Sequence, residues 1–253
     1  PIPARAAPAA SSPNGRLQLW IHHDAQNQMP SDRKFAIGVD IATGTGASNS
    51  VISVGDCRTG EKVAEFCDPR TRPDQLGRYA VALANWFKGL DSIGAFLIWE
   101  APGPGRNFGD VVLELGYRNI YYRTNEASRN KKQTDIPGWW PTKDEKRSVY
   151  GEYRRALSNG SFINRSRPAL DECREIIYAA TGWITHSRSL SKLDPSGAKE
   201  NHGDRPTADA LLCKAMSKFP GVKKQVEVIP EDSFLHRRKI ASDKKTTTKT
   251  GQW

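Results

Sequence analysis

Two short apolar runs in this sequence each end in a carboxylate, and that pairing constrains the fold more than any other feature. Residues 35–41 read Phe-Ala-Ile-Gly-Val-Asp-Ile and residues 95–100 read Ala-Phe-Leu-Ile-Trp-Glu. Both are too short for helices, carry apolar residues on both faces as a central strand does, and close on Asp40 and Glu100. A third acid, Asp204, stands in His202-Gly203-Asp204-Arg205 at the mouth of a helical pattern over residues 206–218, whose stripe is Ala208, Leu211, Leu212, Ala215 and Met216. If the two strands lie side by side and parallel, Asp40 and Glu100 leave the same end of one sheet and the last helix brings Asp204 against them. Three clustered carboxylates repel one another unless a cation neutralises them, so the arrangement predicts a divalent metal, with oxygen ligands favouring Mg²⁺ or Mn²⁺ over zinc.

Between and around these runs the periodicity alternates. Residues 17–21 read as a separate short strand; the 35–41 run, residues 50–54 as a second strand beyond the 43–49 loop, and residues 62–66 as a third beyond the Arg58-Thr59-Gly60 turn give an antiparallel three-strand meander. Leu76, Tyr79, Ala80, Leu83, Trp86 and Phe87 form a helical stripe stopped at Gly89; residues 108–115 are again helical, and residues 119–122 a short strand. Thr142 and Glu145 have capping-box spacing and open a helix through Val149, Tyr153 and Leu157. Residues 169–180 predict a further amphipathic helix, and residues 187–203 a long polar loop. The expected class is therefore α/β: a mixed central sheet, meander first and parallel β-α units after, flanked by helices.

Three segments are expected: a Pro/Ala/Ser-rich linker or tail over residues 1–14, one folded domain over 15–220, and a basic, poorly ordered tail over 221–253. The first residue is proline and no signal peptide follows, so the chain is expected to be a piece of something longer or a processed product. No apolar run is long enough to cross a membrane. The 4 cysteines show no C-x-x-C pairing, which argues against a zinc site or a disulfide scaffold and fits a reducing cytosol.

The formal charge of +10 is concentrated. Eight Lys and Arg against four acids lie in residues 129–155, and the same balance recurs in residues 221–253. The first stretch mixes Arg129, Lys131, Lys132, Lys143 and Arg147 with Trp139, Trp140 and Tyr150, the composition of a polyanion groove; a solvated helix face with a Trp pair in the core is the competing reading.

The order Ile37 to Gly44, Ser50-Val51-Ile52, Phe96 to Glu100 with Asn107 and Gly109 downstream, Gly138-Trp139-Trp140 before the basic helix, and His202-Gly203-Asp204-Arg205 resembles the C-terminal nuclease domain of the large terminase subunit of tailed bacteriophages, over about residues 16–219. The resemblance implies an RNase H-like fold and a metal-dependent endonuclease that cuts concatemeric double-stranded DNA at the start and end of genome packaging, with two Mg²⁺ or Mn²⁺ ions on Asp40, Glu100 and Asp204. It further implies an N-terminal packaging ATPase domain, a small terminase subunit and a portal as partners, and action in the host cytoplasm outside the mature virion. This chain has no G-x-x-x-x-G-K-[ST] phosphate loop, so no ATPase activity is expected of it. Some members carry two adjacent acids at the third position, whereas Gly203 precedes Asp204 here; His202 or Asp209 is a candidate further ligand, with Asp209 reading more readily as a surface acid. Rival readings are another RNase H-like enzyme such as a resolvase or transposase, a non-catalytic basic DNA-binding module, and, from the glycine- and threonine-rich turn after Asp40, a sugar-kinase or actin-like ATPase half.

Overall fold

A computed structural model describes residues 15–91, 93–124, 133–179, 182, 184–187 and 203–219. The expected segments 1–14 and 221–253 lie outside the described residues, as does most of the 187–203 loop. By its internal contacts the chain divides into residues 1–223 and 224–253, and the elements named here all belong to the first unit.

The meander forms as its alternation dictates. β2 (Phe35–Asp40), β3 (Ser50–Asp56) and β4 (Glu61–Asp68) pair antiparallel in succession, and β1 (Leu17–Leu19) adds to the free edge of β4. On the other side β5 (Phe96–Trp99) joins β2 in parallel, so the sheet order is β1-β4-β3-β2-β5. The connection from β4 to β5 is the crossover helix α1 (Pro73–Trp86), started by a proline whose missing N–H costs nothing in a first turn. Helix α2 (Gly105–Glu114) follows β5 and packs on α1.

Period-2 alternation sorts the side chains into two cores. Phe35, Ile37 and Val39 of β2 and Leu97 and Trp99 of β5 meet α1 and α2 through Leu76, Ala80, Phe87, Phe108 and Val112. Ala36 and Ile98 point the other way, into Val149, Tyr153, Leu211, Leu212 and Met216 of α3 (Lys143–Ser158) and α5 (Asp204–Met216). α3 opens on the expected capping box: Glu145 N–H donates to Thr142 Oγ1, and Thr142 N–H donates to Glu145 Oε2 at 2.7 Å.

Helix α5 lies flat on the sheet because glycines let it. A Cβ on Gly38 would sit 2.2 Å from the Ala208 carbonyl oxygen and 2.4 Å from the Leu212 nitrogen, and one on Gly55 would sit 2.6 Å from Met216 Sδ. With the sheet below and α3 and α4 (Arg167–Cys173) beside it, α5 is buried almost all round. That explains the alanines and leucines of its sequence better than a single stripe does.

One sequence expectation fails. The helix predicted over residues 169–180 stops at Cys173, and Ile176–Tyr178 forms a strand, β8, in a hairpin with β9 (Ile184–His186). The β-branched pair Ile176-Ile177 favours the strand, and Glu172 is held by Arg205 of α5 rather than left on a continuing helix face. A second small hairpin, β6 (Tyr122–Thr124) with β7 (Gln133–Pro137), flanks the β5 edge. Tyr122 opens that strand, while Ile120 within the expected 119–122 segment makes only an isolated bridge to Leu97.

Candidate active site

Asp40 and Glu100 occupy equivalent places on adjacent parallel strands. The register pairs Ala36 with Phe96 and Val39 with Trp99, so each acid is the next residue after a matched pair. Neighbouring strands run about 4.8 Å apart, and both acids fall on the α5 face because Ala36 and Ile98, an even number of residues away, do. Beyond β5 the chain after β7 comes alongside: Trp139 N–H donates to the Trp99 carbonyl and Ala101 N–H to the Trp139 carbonyl, both at 2.8 Å, bracketing Glu100.

Asp204 is delivered by α5. The helix runs against the direction of β2, with Gly38 under Ala208 and Leu212, so the preceding turn of the helix comes over the carboxyl end of β2. Its carboxylate is fixed by the β2–β3 loop, where the Asn49 backbone N–H donates to Asp204 Oδ2 at 2.6 Å and the Asn49 side-chain amide at 3.4 Å. The loop is itself pinned by Ala42 N–H donating to Ser50 Oγ and by the Ser50 hydroxyl donating to the Thr71 carbonyl. Gly203 caps the helix with φ +83°, the left-handed region, which strains any side-chain-bearing residue and disfavours an acid beside Asp204.

Asp40 feels the other two carboxylates. Burial pushes the Asp40 carboxyl well above the usual carboxylate range, and the charges of Asp204 and Glu100 push it further, while Lys146 of α3 opposes them. Lys146 Nζ stands 3.9 Å from Glu100 Oε2. One turn on, the Tyr150 hydroxyl shares a hydrogen bond of 2.7 Å with Thr207 Oγ1 of α5; burial raises its pKa, with Asp40 and Glu100 adding to the effect. Among the described residues no three His, Cys, Asp or Glu side chains are drawn into a closed cation cage. The donor set nevertheless suits a hard divalent cation: three carboxylates at one end of a sheet, one of them disfavoured as an anion until a cation joins it.

The other candidates fall elsewhere. His202, Arg129, Lys131 and Lys132 lie outside the described residues. Lys143 and Arg147 sit on α3 beside Gly182, whose carbonyl accepts from Arg147 Nε at 3.0 Å. Trp139 is core, whereas Trp140 is half-buried with the Arg106 guanidinium 5.4 Å from its ring centre. Asp209 is not a surface acid. It is wholly buried and accepts from Lys62, Ser53, Asn164 and Tyr153, so its oxygens are committed away from the three acids.

Lys146, Tyr150 and Asn49 join this cluster without having been marked as part of it by sequence. The signal available for the first two is their i, i+4 spacing on the capped helix, on the same broad face as Lys143 and Arg147. Nothing comparable marks Asn49, whose main contribution is a backbone N–H.

Several solved structures share this fold. The large terminase nuclease from thermophilic phage G20c with bound magnesium superposes with a TM-score of 0.57 at 15% identity, covering 80% of this chain and 89% of that one. The same nuclease with bound cobalt gives 0.56 at 15% identity, with the same coverage. The large terminase nuclease domain of Thermus phage P74-26 gives 0.54 at 15% identity, covering 79% and 86%. Neither a protein-family model nor a curated protein sequence matches the chain. The shared architecture is the RNase H-like mixed sheet that the resemblance implies.

Proposed function

We propose that this chain is the nuclease domain of a bacteriophage DNA-packaging terminase large subunit, an endonuclease that hydrolyses double-stranded DNA with divalent metal, Mg²⁺ or Mn²⁺ and two ions in the active complex. The observation that carries the proposal is the matched register of Asp40 and Glu100 with Asp204 brought over them by α5. The fold likeness to the terminase nucleases, one of them solved with magnesium and with cobalt, supports the same reading.

Asp40, Glu100 and Asp204 would hold the ions. Bound there, divalent cations supply the charge that lowers the pKa of a water and neutralises the leaving oxygen in phosphodiester hydrolysis. The chain's own residues do the positioning. Asn49 fixes the Asp204 carboxylate, and Tyr150, tied to Thr207, locks α3 to α5 so that Lys146 faces the acids. Lys143 and Arg147, with Arg129, Lys131 and Lys132, supply phosphate contacts that carry no sequence code, so cleavage is largely sequence-independent. His202 is a candidate further ligand. In the packaging cycle the domain acts in the host cytoplasm with an ATPase domain, a small terminase subunit and a portal, cutting concatemers at initiation and termination.

The test is cleavage of supercoiled plasmid with Mn²⁺, Mg²⁺ or EDTA, with Asp40→Asn alongside. Metal-dependent nicking and linearisation, lost in a folded Asp40→Asn protein, is the expected result. Normal cutting by that variant refutes the site.

A further inference from the structure

Lys143, Lys146, Arg147 and Tyr150 share one broad face of helix α3, at i, i+3, i+4 and i+7. On it Lys143 and Arg147 flank Gly182, while Lys146 stands beside Glu100 and Tyr150 bonds to Thr207 of α5. The Lys146 side chain is only 23% exposed and that of Glu100 25%, so most of each is covered by protein. At 3.9 Å the two make a Coulombic pair but not a hydrogen bond, which leaves the lysine head able to move on its flexible stem. Its charge also reaches Asp40. Arg205, next in the chain to Asp204, is a further described cation and is engaged elsewhere: its guanidinium donates to Glu65 at 2.9 Å and to Glu172 at 2.5 Å.

We infer that Lys146 is the built-in counter-ion of the acidic cleft, limiting the DNA-free site to one divalent cation and moving to a DNA phosphate when a second ion enters. The inference rests on the reading of the cleft as a metal-dependent nuclease site. Carboxylates bind metal in their ionised form. Counting Asp40, Glu100, Asp204 and Lys146 alone, the three ionised carboxylates and the ammonium leave two negative charges, which one divalent cation neutralises. A second cation leaves the cleft with two uncompensated positive charges in a partly desolvated space, where like charges repel strongly. Substrate phosphate relieves that excess, and Lys146, released from Glu100 by the incoming ion, finds in the phosphate its nearest available anion. The lysine thereby couples full metal loading, and so cutting, to the presence of DNA.

The test is calorimetric titration of Mn²⁺ into the DNA-free chain, comparing the parent protein with Lys146→Met, Lys146→Arg and Asp40→Asn, each checked for a cooperative thermal transition. The parent is expected to bind one ion. Lys146→Met is expected to bind a second, or to bind the first at least tenfold more tightly, while Lys146→Arg keeps the parental stoichiometry. Plasmid cleavage by Lys146→Met at saturating Mn²⁺ is expected to fall at least tenfold because the lysine no longer holds the phosphate. Should Lys146→Met not fold, Lys146→Gln carries the same comparison. A folded neutral variant with parental stoichiometry and affinity overturns the inference, as does a parent that binds two ions without DNA, and both outcomes leave the nuclease reading standing. A parent that binds no Mn²⁺ and matches Asp40→Asn overturns the nuclease reading and this inference with it.

Discussion

The Lys62 ammonium lies 2.6 Å from Asp209 Oδ1 with neither side chain reaching solvent. Lys62 also donates to Glu65 at 2.6 Å, and Glu65 accepts from Arg205, which in turn holds Glu172. A β-bulge makes this possible: the register of β4 against β3 shifts between Val54 and Gly55, pairing Gly55 with Lys62 and Ser53 with Glu65. Lys62 and Glu65, three residues apart, thus both reach the α5 face. The network fastens α5 and α4 to the meander and so fixes where Asp204 emerges.

Removing one member strands its partners in a dry core. Asp209→Ala is expected to cost about 3–5 kcal/mol, the penalty of an unpaired buried charge. Lys62→Met combined with Asp209→Leu is expected to cost less than either change alone, and urea unfolding of the three variants measures the difference. A loss below about 1 kcal/mol for Asp209→Ala would show that the pair does not carry its burial.

The same network sets the acid response. Burial opposes the charge on Glu65, but Lys62 and Arg205 outweigh it and hold the carboxyl below its ordinary 4.5. Burial raises Glu172 above that value despite Arg205, and raises Asp40. Groups with raised folded values gain stability as pH falls through those values, whereas Glu65 contributes stability above pH 4.5 that is lost as pH falls through its lower folded value. Unfolding free energy is therefore expected to rise gently from pH 7 toward the acid side and then to drop below pH 4.5, by up to about 1.4 kcal/mol per pH unit for each proton taken up. Glu65→Gln flattens the drop. Urea melts between pH 7 and 3 give the curve, and a monotonic fall from pH 7 would contradict it.

Gly38 decides how near α5 comes to β2. Gly38→Ala places a methyl 2.2 Å from the Ala208 carbonyl oxygen, backbone that cannot swing aside as a side chain can. The helix is expected to lift, costing at least about 1–3 kcal/mol and carrying Asp204 away from Asp40. Metal-dependent cleavage should fall well beyond the fraction unfolded, as read from activity and circular dichroism on the same sample.

Much of this is legible in the sequence. The meander, the capping box at Thr142 and the start of α5 all follow from local patterns, namely alternation, a cap spacing and an apolar stripe, whereas the parallel placement of Phe96–Trp99 beside Phe35–Asp40 enters only as a condition that the register meets. Asp209 escapes such reading because its partners Lys62, Ser53, Tyr153 and Asn164 come from four distant segments, and one of them arrives through a bulge that no local pattern reports. The hairpin at Ile176 escapes it for a related reason, since its strands are too short to outweigh a helical stripe. Charge density in residues 129–155 marks α3 as important, yet only the packing shows that Lys146 is the cation beside Glu100.

Lys143 and Arg147 stand beside Gly182 rather than Glu100. In Lys143→Ala with Arg147→Ala, duplex DNA binding is expected to weaken uniformly across sequences, and the slope of log K against log salt to fall by about 2, near 0.9 for each phosphate no longer neutralised. Fluorescence anisotropy at several salt concentrations measures both. An unchanged slope would place the DNA groove on another surface.

Asp40→Asn separates the electrostatic account of the site from its chemistry. Burial together with the Asp204 and Glu100 charges disfavours the Asp40 carboxylate, so the metal-free protein at neutral pH carries a penalty that an uncharged amide of the same shape removes. Without divalent metal, the melting temperature of Asp40→Asn is expected to lie above the parent's, by about 2–4 °C for each kcal/mol of relief. Adding Mn²⁺ should reverse the order, because the ion stabilises the parent by mass action and finds one ligand fewer in the variant. Thermal melts with EDTA and with Mn²⁺ test both halves: a variant less stable than the parent in EDTA would mean that Asp40 is held by favourable contacts and is not a strained member of an acidic cluster.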